Sequence, residues 1–272
     1  MEEDEEEDNM SNDKEVFIGI DFSLKSPAIC IFYNNQYQWL SHCSKIDRPK
    51  KDSKIQLEIS ELSDVYMEFQ DELLTGNDYS SNDSANITNY RNHADEMLKL
   101  ILNKLNNIKD KPKLIIGFEG YSFNSFSSSN NIIDIVAATT TVKNKILDKL
   151  KVELKYNLEV EIIAPVTLKK FAGYSRFDKV DLFDVFNHDY TYILDKWSNE
   201  IQKDKEKRIN KGKESVFKLN YTDKDLSGPF HSYCLNLELN RNLKKIKVPK
   251  PIDDMIDAYF VCNWLRSKTS KD

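Results

Sequence analysis

The chain has 272 residues, 40% of them hydrophobic, with seven glycines and seven prolines. That is enough apolar material to fill a core and excludes a collagen-like or linker-dominated chain. No long uncharged apolar run is present, which excludes a spanning helix. The formal charge of −6 is concentrated in seven consecutive carboxylates, Glu2 to Asp8. Setting those seven aside leaves a body of net charge +1, so the acidic balance does not argue against a polyanionic partner. Composition predicts a solvated, disordered tail over residues 1–14.

Cys30, Cys43, Cys234 and Cys262 show no C-x-x-C spacing, and no apolar targeting segment precedes Val16. A disulfide framework is therefore not expected, and a reducing, intracellular setting is. His231 and Cys234 lack two further ligands for a closed zinc site.

In chain order, residues 16–22 (VFIGIDF) form a nearly continuous apolar run ending in an aspartate, the pattern of a central strand. Strand-like runs at 28–33 and 36–42 are joined by Asn34-Asn35, a two-residue hairpin turn. Residues 44–90 alternate short amphipathic stretches with a polar tract at 78–86 (DYSSNDSAN), the composition of an insertion or a mobile loop, with no regular element assigned. From about 92 to 108, Met97, Leu98, Ile101, Leu102 and Leu105 recur at helical spacing.

After Pro112, residues 114–119 (LIIGFE) predict a second buried strand that also closes on a carboxylate. A Ser/Asn-rich loop follows, then a helix over 132–150, a short strand at 160–164, and a mostly helical stretch from 167 to 187 broken at Gly173. Residues 190–250 read as a second, charge-dense insertion with helix periodicity returning only after Pro251. The segment 252–265 is the last helix, with Ile256, Tyr259, Phe260 and Trp264 at core spacing.

Asp21 and Glu119 thus close two buried strands, where functional groups collect in α/β sheets. On the last helix, spacings of three and four place Asp254 or Asp253 on one face with Asp257. Carboxylates converging from separate elements repel one another unless a divalent cation neutralises them, so convergence would imply Mg²⁺ or Mn²⁺. Two such ions, about 4 Å apart, serve phosphodiester hydrolysis. Taken singly, each acid also has an ordinary reading, as a turn cap for Asp21 or a helix-dipole partner for Asp253 and Asp254.

Five blocks give the chain a resemblance to a known family: GIDFSLKSPAI around Asp21, IIGFEGYSF around Glu119, IIDIVAATTTVKNKI, APVTLKKFAGYSRFDKVDLFDVF with Lys179, and PIDDMIDAYFV. Together they resemble the RuvC-like Holliday junction resolvases of the RNase H-like superfamily. The resemblance implies an α/β fold, a mixed five-stranded sheet flanked by helices, occupying 15–272 with insertions at about 44–90 and 190–250. It implies Asp21, Glu119, Asp254 and Asp257 as catalytic metal ligands, with Asp253 in reserve, and two Mg²⁺ or Mn²⁺ ions.

It also implies Lys179 beside the scissile phosphate, a compact ammonium that offsets charge in the transition state. Tyr121 and Phe123, with Phe126 in the same loop, become candidates for stacking on opened bases. Arg241, Lys244 and Lys245 stand in a run of five basic residues without an acid, suited to a phosphate backbone. The implied activity is resolution of branched DNA by a homodimer, acting inside the cell where the DNA is and not at a membrane.

Three other readings compete. One is a different RNase H-like nuclease, acting on RNA·DNA hybrids or as a transposase. Another is a nucleic-acid-binding protein that does not cut. The third, an actin-like phosphotransferase, is disfavoured because no Gly-rich turn follows a later strand.

Overall fold

The computed structural model describes residues 15–23, 26–44, 51–70, 74–109, 111–120, 130–187, 190–211, 226–239 and 248–269. The acidic tail, Tyr121, Phe123, Phe126, Arg241, Lys244 and Lys245 lie outside the described residues.

Six strands form one mixed sheet: β1 (Glu15–Asp21), β2 (Ala28–Tyr33), β3 (Gln36–Ser44), β4 (Val65–Gln70), β5 (Lys113–Glu119) and β6 (Leu158–Ile163). Their spatial order is β4-β3-β2-β1-β5-β6. The meander β1-β2-β3 is antiparallel, turning at Asn34 and Asn35, whose φ angles of 49° and 59° suit a two-residue hairpin. On the other side of β1, β5 and then β6 pair in parallel. A three-stranded meander flanked by parallel strands and covered by helices on both faces is an RNase H-like architecture. The sheet has one strand more than the expected five, because β4 adds in parallel to the outer edge of β3.

The helices are α1 (Lys51–Ser60), α2 (Tyr79–Leu105), α3 (Asn130–Leu147), α4 (Pro165–Ala172), α5 (Lys179–Asn187), α6 (Tyr190–Ile209), α7 (Pro229–Leu239) and α8 (Ile252–Thr269). A π-helical segment, Asp148–Glu153, continues α3 and buries Leu150.

Two expectations are corrected. The tract 78–86 is not a loop: Asp78 caps α2 by accepting from the Ser81 N–H at 2.7 Å, while the Ser81 hydroxyl accepts from the Asp78 N–H at 3.0 Å. This reciprocal cap starts the helix more than a turn before any apolar periodicity is present. Helix also returns well before Pro251. Trp197 anchors α6 against Tyr174 and Phe177, each at 5.6 Å between ring centroids, and Phe230 buries α7 against Trp39 at 4.7 Å.

Strand alternation divides the core between the two faces of the sheet. Val16, Ile18, Ile20, Leu114, Ile116 and Phe118 pack against α2 and α3. Phe17 and Ile115 face α8 with its surrounding helices, and Asp21 and Glu119, in step with them, point to the same side. Helix α8 is buried on every side from Ile252 to Asn263, the mark of a helix within the core.

Its seat is a pair of glycines. Gly19 and Gly117 are register partners on β1 and β5. A Cβ on Gly19 would lie 2.1 Å from the Ala258 carbonyl oxygen and 2.4 Å from the Cys262 nitrogen. One on Gly117 would meet the Val261 Cγ1 at 2.7 Å. The missing side chains let the helix backbone lie directly on the sheet.

Gly19→Ala should therefore cost more than the ~1–3 kcal/mol usual for overpacking, because backbone atoms must give way. Gly117→Ala should cost less, since it meets only the ends of side chains. Thermal unfolding of both variants checks the ranking, and an unchanged melting temperature for Gly19→Ala would contradict the close approach of α8.

Candidate metal centre

Ile20 on β1 pairs with Phe118 on β5. One residue further along each parallel strand stand Asp21 and Glu119, neighbours at the C-terminal edge of the sheet. Helix α8, held down on the glycines, brings Asp257 to meet them. One ligand oxygen from each of Asp21, Glu119 and Asp257 lies within 4.8 Å of the other two. Among the described residues no other His, Cys, Asp or Glu group converges in this way, and His231 with Cys234 does not.

Three carboxylate oxygens without sulfur or imidazole make a hard donor set that suits Mg²⁺ or Mn²⁺, so the triad can coordinate a single divalent ion.

The electrostatics are those of a site lacking positive charge. Asp21 is only 8% exposed. Burial first, and then the charges of Glu119, Asp254 and Asp257, hold its carboxyl well above the usual aspartate range. Asp257 is pushed up to about 7, by burial and then by Glu119. Glu119 is raised as well, by burial, although a hydrogen bond from Asp21 and the charge of Lys179 work against the shift.

Around the triad lies a ring whose charges are matched. Asp254, 1% exposed, accepts at Oδ2 from the Ser23 hydroxyl at 2.9 Å and the Ser26 hydroxyl at 2.5 Å, and at Oδ1 from the Lys250 ammonium. The Lys179 Nζ lies 3.1 Å from Asp253 Oδ2, 3.1 Å from Asp257 Oδ2 and 3.6 Å from Asp254 Oδ1. Burial opposes the charge on Lys179, but Asp257, Asp253, Asp254 and Asp21 outweigh it and hold the ammonium above the ordinary lysine value. Asp253 is itself raised, by burial and then by Asp254.

Lys179 is placed by the start of α5. The Asp178 carboxylate accepts from the N–H groups of Val180 and Asp181, at 2.8 and 3.0 Å, while Asp181 Oδ2 accepts from the Asp178 N–H at 2.9 Å. This reciprocal cap makes Lys179 the first helical residue. The turn before it leaves α4 at Gly173, whose φ of 144° excludes most side chains.

The triad opens on a cleft of about 310 Å³, walled on one side by Phe22, Leu168 and Phe260 and reached by Lys169. Of the residues singled out in the sequence, the structure brings together Asp21, Glu119, Asp257, Asp254, Asp253 and Lys179.

Sequence reasoning missed Lys250, Lys169, Ser23, Ser26 and the two glycines. A signal for the glycines is present, since each stands two residues before its strand-closing acid, in GID and GFE. Nothing in the local sequence distinguishes Lys250 from the other basic residues of its run.

No protein-family model matches the chain, and no curated protein matches it. Among solved structures, the yeast mitochondrial Holliday junction resolvase Ydc2 is similar at a TM-score of 0.38 and 13% identity, over 93% of this chain and 78% of that one. The human cytomegalovirus terminase nuclease domain is similar at a TM-score of 0.30 and 14% identity, over 93% and 83%. Both likenesses are distant and concern the fold; the architecture stands on the strand order described above. Among the described residues no helix is long and apolar enough to cross a membrane.

The raised carboxyls fix the sign of a pH effect. In the unfolded chain Asp257 loses its proton near 3.8, whereas in the fold it keeps it to about 7. The folded state therefore binds more protons over that window, and metal-free stability should fall as pH rises through it. Melting curves in a chelator should show this fall. Mn²⁺ should restore several degrees at pH 8 and little at pH 5, and Asp257→Asn should abolish the gain from Mn²⁺ and lessen the fall with pH, to which the raised carboxyls of Asp21 and Glu119 still contribute. A melting temperature indifferent to Mn²⁺ at pH 8 would count against metal binding by the triad.

Proposed function

We propose that the chain is a divalent-metal-dependent, structure-selective endonuclease of the RNase H-like superfamily that resolves four-way DNA junctions by phosphodiester hydrolysis. One observation carries the reading: Asp21 and Asp257, both buried, and the half-buried Glu119 converge from two strand ends and one core helix beside a cleft, with the Lys179 ammonium against Asp257. A protein without a cation to bind would gain stability by losing such a cluster.

In this reading Asp21, Glu119, Asp254 and Asp257 are the metal-binding carboxylates, with Asp253 in reserve. The triad would hold one ion, and Asp254, with Asp253 in reserve, would help to hold a second only once DNA is bound. When bound, Mg²⁺ or Mn²⁺ activates water and stabilises the entering and leaving oxygens of the phosphodiester.

The chain's own groups do the rest. Asp21 and Glu119, fixed on adjacent strands, orient the site. Lys179 offsets charge on the phosphate as it builds, without the reorganisation that solvent would need. The apolar wall of Phe22, Leu168 and Phe260 limits water around the carboxylates.

Tyr121 and Phe123 are assigned to unstacked bases, and Arg241, Lys244 and Lys245 to the phosphate backbone. One nuclease domain over 15–272 carries the two insertions behind an acidic tail. A homodimer supplies the two symmetric cuts that resolution requires. The enzyme works inside the cell, where branched DNA arises.

The test is cleavage of end-labelled four-way junction, flap, duplex and RNA·DNA hybrid with Mg²⁺. The junction should be cut in preference to the others. Asp21→Asn should bind it without cutting, and Lys179→Ala should slow cutting by about a hundredfold while leaving binding intact. Preference for the hybrid would move the assignment to an RNase H-type activity. A junction bound but uncut by the wild type would overturn the nuclease reading.

A further inference from the structure

Asp254 lies next to the triad yet offers little to an ion. A carboxylate has about four acceptor positions. On Asp254, two are filled at Oδ2 by Ser23 and Ser26 and one at Oδ1 by Lys250, while Lys179 stands 3.6 Å from the same Oδ1. The Lys250 ammonium also reaches Asp253 Oδ2 at 3.2 Å, the oxygen that Lys179 contacts at 3.1 Å. The two lysines thus sit side by side over the outer carboxylates, and neither forms an ion pair with Asp21 or Glu119.

The charge count points the same way. With Asp21, Glu119, Asp253, Asp254 and Asp257 ionised and Lys179 and Lys250 charged, the cluster carries −3. One divalent ion at the triad brings it to −1, whereas a second would leave an excess of positive charge in a buried site. Without Lys250 the cluster carries −4, which two divalent ions neutralise.

Resting on the metal site proposed above, we infer that Lys250 occupies the place of the second cation. Its ammonium, clamped by Asp254 and Asp253, holds the protein without DNA to one divalent ion. Lys250 is a counter-ion here rather than a catalytic residue, because it acts through the availability of Asp254. Its position favours such a role, since it ends the run Arg241–Lys250 and stands only two residues before the first turn of α8.

The experiment counts bound Mn²⁺ by calorimetry and by electron paramagnetic resonance on the full chain at pH 8 without DNA. Wild type and Lys250→Arg should bind one ion and Lys250→Met two. Lys250→Gln, whose amide still donates to Asp254 and so protects the fold, should bind a second ion more weakly than Lys250→Met. Lys250→Met should also melt below wild type in chelator and gain more than wild type from Mn²⁺.

One ion in both Lys250→Met and Lys250→Gln would overturn the inference, as would two in the wild type. No uptake by any form would overturn it together with the metal reading beneath it. Junction cleavage measured on the same samples separates the two claims: expected ion counts without cutting would remove the nuclease assignment and leave Lys250 in its place.

Discussion

The close seating of α8 on the sheet is the constraint from which the site follows. Side chains on Gly19 and Gly117 would overlap the helix, at its backbone in the first case. Their absence permits an approach that leaves no room for slippage. A helix fixed this tightly can carry Asp253, Asp254 and Asp257 into the interior, because a looser one would relax outward and hydrate them. Buried carboxylates cost several kcal/mol each unless compensated. The dense apolar surface around them, including Ile252, Met255, Ile256, Tyr259 and Phe260, supplies the opposing burial.

Compensation is uneven, and the unevenness separates two kinds of carboxylate. Asp254 has serine hydroxyls and an ammonium around it, and Asp253 lies between two lysines. Asp21 and Glu119 have chiefly each other and Asp257. Burial raises all three carboxyls of the inner triad, as it does that of Asp253, and Asp21 and Asp257 bear the charge of Glu119 in addition. Asp257 belongs to both groups, since Lys179 touches it at 3.1 Å while it still titrates near neutrality. Lys179 thus stands at the junction of the matched and unmatched halves.

Much of this is legible in the sequence because apolar runs report burial directly. VFIGIDF and LIIGFE read as central strands closing on acids, and β1 and β5 are those strands. Spacings of three and four set Asp254 or Asp253 on one helical face with Asp257, and all three lie beside Lys179. What stays hidden has physical reasons. The first turns of α2 and the described side chains of α6 are mostly exposed and polar, so they lack the 3.6-residue stripe, and a cap such as Asp78 with Ser81 looks like loop composition until its hydrogen bonds are seen. Strand β4 is short and edges the sheet, so its sequence VYMEFQ has no clean alternation. The partition of acids between lysines and open cleft depends in part on contacts between residues more than seventy positions apart, such as Lys179 with Asp253.

The elements within residues 44–90 and 190–250 are tied to one another as well as to the sheet. The Asp64 carboxylate, between α1 and β4, accepts the Phe230 N–H with both oxygens at 3.1 Å, at the start of α7. The Tyr233 hydroxyl donates to Glu58 Oε2 at 2.6 Å. These contacts cap α7, whose Phe230 then covers Trp39 on β3, while β4 pairs along the edge that β3 would otherwise leave open. Phe186 of α5 packs against both Phe230 and Tyr259, at 5.9 and 5.0 Å between centroids. The same aromatic cluster therefore joins α7 to the helix that begins with Lys179 and to the one that carries Asp254 and Asp257. Segments that look peripheral in the sequence buttress the two helices on which the charge pattern of the site depends.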